Sequence, residues 1–439
     1  MHIVDTALAQ RAASGNPIRV GLIGAGYSAR RIAYQIEQSV PGLRVVAIAN
    51  RTLEHARGAF AFAGVSAPRT VLRQAEAKCA IAVGAQFITD VAELVTASDY
   101  IDVVVEATGS VGFGARVTLD AIDNGKHVVA MNVEMDATIG PLLAHRARAR
   151  GVIYTNSDGD EPGVAMNLLR HVRSLGLTPV VAGNLKGFFD PYRTPDTQRA
   201  FAEAHGQKPQ TAAHFADGTK LAMELAVLAN ATGLSVGRRG MFGPSLAHVN
   251  DAAEFYARRP TGEGIVDFLV GAAPGNGVFV LARTDDPMRQ AYLRYLKQGD
   301  GPLYTFYTPF HLPQLDVPNT IARAALFDDA AVSPAGAPVC DAIAVAKKDL
   351  AVGDVLDGLG GHCAYGLLED YALSARDACL PIGLSEGCRV IRPVAKDQLI
   401  TCADVVIPQG REIDALRTEQ NTLFGFATAD RPRAMGGLA

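Results

Sequence analysis

The stretch IRVGLIGAGYSARRIAYQIEQ, residues 18–38, decides the fold. Residues 18–23 are a short apolar run rich in β-branched side chains, the pattern of a buried strand. Gly24-Ala25-Gly26 interrupts the run, and beyond it Ile32, Ala33 and Ile36 recur at helical spacing until Pro41-Gly42. A second apolar run, VVAIA at 45–49, stops at Asn50-Arg51. Strand, glycine turn, helix and strand within about 30 residues make one βαβ unit. Gly24, Gly26 and Ala29 supply a G-x-G-x-x-A pattern. The first glycine permits the turn, the second lets a diphosphate approach the backbone, and the small third residue lets helix pack on strand. Free amides at Tyr27 and Ser28 would then face that diphosphate. An NAD enzyme commonly closes the second strand with Asp or Glu on the ribose hydroxyls. Here Asn50 and Arg51 stand there. A guanidinium suits a 2′-phosphate, so the expected cofactor is NADPH, Arg51 being otherwise a solvated loop charge.

The alternation continues outward. Asp90 reads as the cap of a helix through Leu94, followed by strand 102–105, helix 115–124, strand 127–131, helix 139–150 and strand 152–155. Apolar strands alternating with helices predict an α/β, Rossmann-type doubly wound parallel sheet. Thr108 and Gly109 follow one of these strands and Asn132 and Glu134 follow the next, which puts all four on the carboxyl edge where a dinucleotide binds. The Ala-rich stretch 60–86 breaks the rhythm without showing a purpose. Past Ser157 the pattern changes to helix 163–176, strand 180–189 and helix 217–234, with 240–330 rich in Gly, Pro and aromatics. This predicts an α+β substrate domain. SPAGAPV, 333–339, reads as a linker to a small β-rich module. The expected division is 15–160 for the nucleotide, 161–335 for substrate and dimerisation, and 336–439 for the last module.

Composition narrows the classes. The chain has 439 residues, 49% of them hydrophobic, and a formal net charge of -4 without a basic block, so no nucleic-acid footprint is visible. No run approaches the roughly 20 apolar residues that span a bilayer. The N-terminal segment lacks the cationic start and apolar core of a secretory signal, which predicts a cytoplasmic protein without a membrane partner. Of six cysteines, no pair has CxxC spacing, so reduced, mostly buried thiols are expected rather than a zinc site. A symmetric homodimer is the base expectation.

VVVEATG (103–109), GKHVVAMNVE (125–134) and DGDEPG (158–163) resemble the homoserine dehydrogenase-type nucleotide domain. Together with AGNLKGF (182–188), DGTKL (217–221), LANATGL (228–234) and a C-terminal SAF (antifreeze-like) segment around LDGLGG, they resemble the 1-deoxy-D-xylulose 5-phosphate reductoisomerase-like family over most of residues 15–410. That resemblance implies NADPH-dependent conversion of 1-deoxy-D-xylulose 5-phosphate to 2-C-methyl-D-erythritol 4-phosphate, the first committed step of the methylerythritol phosphate route to isoprenoids. The GTxNYI signature of true homoserine dehydrogenases is missing. Motifs of the ordinary reductoisomerase are missing too, so no metal ligands carry over.

Rearranging and reducing a hydroxyketone phosphate calls for a cation, or a Mg2+ or Mn2+ ion, at the carbonyl, an acid or base for the hydroxyls and an anchor for the phosphate. Lys220 stands in Asp217-Gly218-Thr219-Lys220 at a helix start, where the helix dipole opposes a cation. It reads as carbonyl polariser or phosphate anchor, or as an i, i+4 partner of Glu224. Lys186 interrupts an apolar strand and faces either a cleft or solvent. Asp158, Asp160 and Glu161 crowd three carboxylates into four residues. They read as acid–base or metal-holding groups, or as a helix cap. Asp160 and Glu161 join Lys186 and Lys220 as the catalytic candidates. His311 reads as a phosphate contact or a packing residue. Gly358–Gly361 with His362 reads as an active-site cover or assembly loop. Two other readings stay open: a homoserine dehydrogenase-like enzyme for another polyol, sugar acid or hydroxy amino acid, and a non-catalytic NADP sensor.

Overall fold

The computed structural model describes residues 3–426. In chain order the elements begin with α1 (Ile3–Ala13), β1 (Ile18–Ile23), α2 (Tyr27–Ser39), β2 (Leu43–Ala49), α3 (Leu53–Phe62), β3 (Arg69–Thr70), α4 (Gln74–Ala82) and β4 (Phe87–Thr89). Next come α5 (Glu93–Thr96), β5 (Val103–Glu106), α6 (Val111–Asp123), β6 (His127–Ala130), α7 (Val133–Arg150), β7 (Tyr154–Asn156) and α8 (Glu161–Ser174). They continue with β8 (Thr178–Lys186), α9 (Pro195–His205), α10 (Pro209–Ala216), α11 (Thr219–Thr232), β9 (Ser235–Val236), α12 (Ala252–Ala257), β10 (Ile265–Val270), β11 (Val278–Arg283), α13 (Pro287–Tyr295) and β12 (Leu303–Thr308). The last are α14 (Pro313–Phe327), β13 (Cys340–Ala346), β14 (Ala364–Asp370), α15 (Tyr371–Arg376), β15 (Arg389–Val390), β16 (Val405–Val406) and α16 (Glu412–Leu423).

These elements form two compact units. The first runs to Gly163 and takes in Leu312–Ser333; the second comprises Val164–His311 and resumes at Pro334.

In the first unit, seven parallel strands lie in the order β3-β4-β2-β1-β5-β6-β7. The chain winds outward from β1 and then crosses to β5, so the strand order reverses between their carboxyl ends. That reversal is the topological switch point at which such sheets bind ligands. Successive side chains of β1 go to opposite faces: Val20 and Leu22 pack with Ile32 and Ile36 of α2, while an added Cβ at Gly21 would meet Ile101 on the other side.

Four local expectations change. The stretch 60–86 contributes β3 and α4, so it extends the sheet by an edge strand. Asp90 caps nothing; the short α5 begins after Ala92, and the amide of Val91 donates to the Thr89 hydroxyl at 3.1 Å. Helix α7 starts at Val133 rather than 139, capped by Asn132, and carries Pro141 within it. Leu312–Ser333, read from sequence as part of the middle domain, returns to the first unit. It does so because α14 lays Val317, Ile321 and Ala322 into the core that holds Ile32 and Ile36.

The second unit is built on a five-stranded mixed sheet, β12-β11-β8-β10-β9, in which β8 and β10 run parallel and β11 antiparallel to β8. Asn184 and Lys186 of β8 share the face toward α11, whereas Val181 and Leu185 go to the opposite core with Tyr256 and Phe279. The C-terminal part of this unit is an antiparallel pair, β13 and β14, and a second small pair, β15 and β16. Hairpin β13–β14 packs on α11. Five of the six cysteines are buried here, and all six are free thiols.

Candidate active site

The nucleotide edge is built first by backbone. Gly24 has φ +107°, and a Cβ there would come within 2.8 Å of the Ala107 carbonyl oxygen, so only glycine lets the turn meet the loop after β5. Gly26 stands at the N-cap of α2 without a side chain to cap it, and the first turn holds no acidic residue. The amides at Tyr27 and Ser28 therefore open an anion site at the positive end of the helix dipole. The Ser28 hydroxyl accepts from Gln314 of α14 at 3.2 Å, and the Arg31 guanidinium stacks 3.4 Å over the Tyr27 ring. At the end of β2, the Asn50 side chain donates to the Thr52 carbonyl at 2.8 Å, and Arg51 stands exposed.

The neighbouring loops are fixed by a buried carboxyl that sequence reasoning passed over. Glu106 closes β5 and accepts from the Thr108 amide at 2.8 Å and from the Thr108 hydroxyl, which tightens the loop into Gly109 at φ +66°. Asn132 donates to the Ser110 carbonyl at 3.0 Å and accepts from the Met135 amide at 3.1 Å, tying the loops after β5 and β6 together. Glu134 lies in the first turn of α7. Nearby, Asp136 accepts from the Tyr154 hydroxyl at 3.0 Å and from the Asn156 amide group. Burial pushes the carboxyls of Glu106 and Asp136 each up to about 7. A lone charged residue ending the apolar run VVVE was the one signal in the sequence for this cluster. All ten residues expected at the cofactor thus line the carboxyl ends of β1, β2, β5 and β6.

The acidic loop after β7 is divided in use. Asp158 pairs with Arg323 of α14 at 2.5 Å, and its amide donates to the Thr320 hydroxyl at 2.8 Å, so its work is to hold α14. Asp160 and Glu161 are buried at the start of α8, with a carboxylate oxygen of each within 4.8 Å of the other's.

In the second unit the two lysines meet. Glu224, one turn after Lys220 on α11, has a side chain 1% exposed. It accepts from the Asn184 amide at 2.8 Å, and the ammonium groups of Lys186 and Lys220 lie 3.3 and 3.8 Å from its oxygens. The two lysine side chains are only 21% and 14% exposed. Lys220 makes the i, i+4 pair with Glu224, and that pair is shared with a second lysine from the strand. Asn184 and the shared role of Glu224 were invisible in sequence, because they depend on β8 lying beside α11. His311 is half-buried, and His362 is held between Asp357 and Asp196.

Residues 20–156 match the family described as "Homoserine dehydrogenase, NAD binding domain", and residues 159–317 match "Oxidoreductase DRL, catalytic domain". The chain is an NAD(P)-dependent oxidoreductase. A catalytic-domain match over the segment that carries Lys186, Lys220 and Glu224 displaces the non-catalytic sensor reading. Among curated proteins, a homoserine dehydrogenase of Neisseria gonorrhoeae is 41% identical over 69 residues, which is 16% of this chain and 16% of that enzyme. Among solved structures, a homoserine dehydrogenase from Thiobacillus denitrificans is similar with a TM-score of 0.42 at 18% identity, covering 75% of this chain and 82% of that one. A myo-inositol 2-dehydrogenase from Lactobacillus plantarum gives 0.35 at 13% identity over 62% and 75%. A biliverdin reductase from Synechocystis, crystallised with biliverdin and NADP+, gives 0.28 at 18% over 40% and 48%, so this chain spans about half of that protein. The match of residues 20–156 and the curated relative lie nearer a homoserine dehydrogenase-type reading than the rearrangement of a pentulose phosphate. Among the described residues no helix is long and apolar enough to cross a membrane.

Proposed function

We propose that the protein reduces the carbonyl of a small polyhydroxylated compound with NADPH. The carbonyl compound is the oxidised partner of a polyol, sugar acid or hydroxy amino acid, as for homoserine dehydrogenase-like enzymes. The observation that carries this reading is the convergence of Lys186 and Lys220 on buried Glu224 within the segment matching an oxidoreductase catalytic domain. Two ammonium groups fixed in a poorly solvated site are suited to steady the oxyanion that develops when a carbonyl is reduced, because they need no reorganisation at that moment. One of them gives the oxygen its proton, and Glu224 holds both lysines in place.

The cofactor supplies the hydride. Gly24, Gly26, Tyr27 and Ser28 hold its diphosphate, Asn50 and Arg51 its 2′-phosphoribose, and Thr108, Gly109, Asn132 and Glu134 the nicotinamide half. Asp160 and Glu161 serve in acid–base work or bind Mg2+ or Mn2+ should the substrate require an ion. The resemblance in sequence makes 1-deoxy-D-xylulose 5-phosphate the first compound to try, with 2-C-methyl-D-erythritol 4-phosphate as the product.

NADPH consumption by the purified chain with that ketose phosphate and a panel of hydroxyketones and hydroxyaldehydes, and NADP+ reduction with polyols, sugar acids and homoserine-type substrates, test the reading, with and without either ion. Turnover that disappears in Lys220→Ala supports it. Cofactor binding without turnover of any member of the panel in either direction removes it.

A further inference from the structure

The second unit buries a third lysine that hydride chemistry does not call for. Lys347 follows β13, and its side chain is 3% exposed. Its ammonium donates to Asp217 Oδ2 at 2.9 Å and to the carbonyls of Gly361 at 2.8 Å and Arg193 at 2.7 Å. Three protons meet three acceptors, so the group is saturated and its geometry fixed. Asp217 is fully buried, and its other oxygen accepts from the Thr219 amide at 2.9 Å. One carboxylate therefore joins an ammonium of the C-terminal segment to the first amide of α11, one residue before Lys220.

A second tie runs beside it. The Gly366 amide of β14 donates to the Thr219 hydroxyl at 2.8 Å, and a Cβ on Gly366 would come within 3.0 Å of Thr219 Cγ2. The turn between these ties is Gly218 at φ +86°, pressed against the Phe189 ring. Lys220 sits where the helix dipole opposes a cation, so its place depends on how firmly the turn beneath it is held.

We propose that Lys347 is a positioning residue for Lys220, acting through Asp217, and that the C-terminal segment is in this way part of the catalytic apparatus. The proposal rests on the catalytic assignment of Lys220 made above.

The test uses the full chain with Lys347→Met, the charge-neutral double variant Lys347→Met with Asp217→Asn, and Lys347→Arg. The first readout is independent of any substrate: the pH dependence of reductive methylation of Lys220 by formaldehyde with cyanoborohydride as the reductant, followed by peptide mass spectrometry. The methylation rate near neutral pH is expected to change by about threefold or more in the methionine variants, with partial return in Lys347→Arg. On a turned-over substrate, kcat is expected to fall roughly ten- to a hundredfold with KM and NADPH affinity within about threefold of the parent. If Lys347→Met does not fold, the double variant carries the same readouts. A cooperatively melting, NADPH-binding variant whose Lys220 methylation profile matches the parent overturns the proposal. A shifted profile in a protein that turns over no substrate upholds the positioning and removes only the functional reading.

Discussion

Glu106 and Asp136 have no exposed surface, and burial raises each carboxyl from 4.5 and 3.8 respectively to about 7. Between those limits the folded chain keeps protons that the unfolded chain has released, so stability falls as pH rises from about 4 to about 7 and stays lower above it. At about 1.4 kcal/mol per pH unit, the cost for Glu106 is on the order of 3 kcal/mol at neutral pH. Glu106→Gln keeps an oxygen for the Thr108 donors but cannot ionise. Its melting temperature should exceed the parent's at about pH 8 and converge with it near pH 5; parallel curves would mean that folding does not raise the Glu106 carboxyl. Arg51 is the opposite kind of residue, an exposed charge whose proposed partner is the 2′-phosphate of the cofactor. Arg51→Ala should lower kcat/KM with NADPH by about ten- to a hundredfold, the worth of a charge-assisted hydrogen bond, and leave NADH nearly unchanged. Equal losses with both cofactors would assign the 2′-phosphate elsewhere. The sequence displays Arg51, Lys186 and Lys220 because charge in an apolar or glycine-rich setting is conspicuous. It hides Asp217 and Lys347, which look like any solvated pair until the fold buries them together.

Helices and strands were legible where periodicity was unbroken: β1, α2 and β8 lie within two or three residues of their expected bounds. Reading failed where the signal depends on packing. Helix α1 carries only Val4 and Leu8 into the core, too sparse a stripe to stand out in a polar segment. The first half of α7 was missed because Gly140 and Pro141 look like a boundary, yet Asn132 caps the helix ahead of them. The turn into α11 carries Lys220, the lysine proposed to be catalytic. Gly218→Ala would force a side chain into φ +86° and overlap its Cβ with the Phe189 ring. A loss of about 1–3 kcal/mol in chemical denaturation is expected, with kcat falling more than NADPH affinity. An unchanged kcat in a folded variant would show that the turn does not set the lysine.

At the scale of the molecule, the chain leaves the nucleotide unit after Gly163 and returns to it for Leu312–Ser333 alone. No sequence period announces the return, because α14 has the same amphipathic character whichever core it joins; the decision lies in its fit to α2. Gln314 on Ser28 and Ile321 within the core of Ile32 and Ile36 fix that fit, and Arg323 on Asp158 and Leu312 on the Gly159 carbonyl tie α14 to the loop after β7. Ile321 is fully buried. Ile321→Ala should open a cavity costing about 2–5 kcal/mol. Since the residue belongs to the first unit, amide hydrogen exchange should quicken in β1 and α2, far away in sequence, while β8 and β10 of the second unit exchange as before. If the proposed NADPH binds the folded unit alone, saturating cofactor should restore part of that protection by mass action. Faster exchange in β8 with β1 unaffected would show that α14 serves the second unit instead, and would detach Ser28 from the helix that holds it.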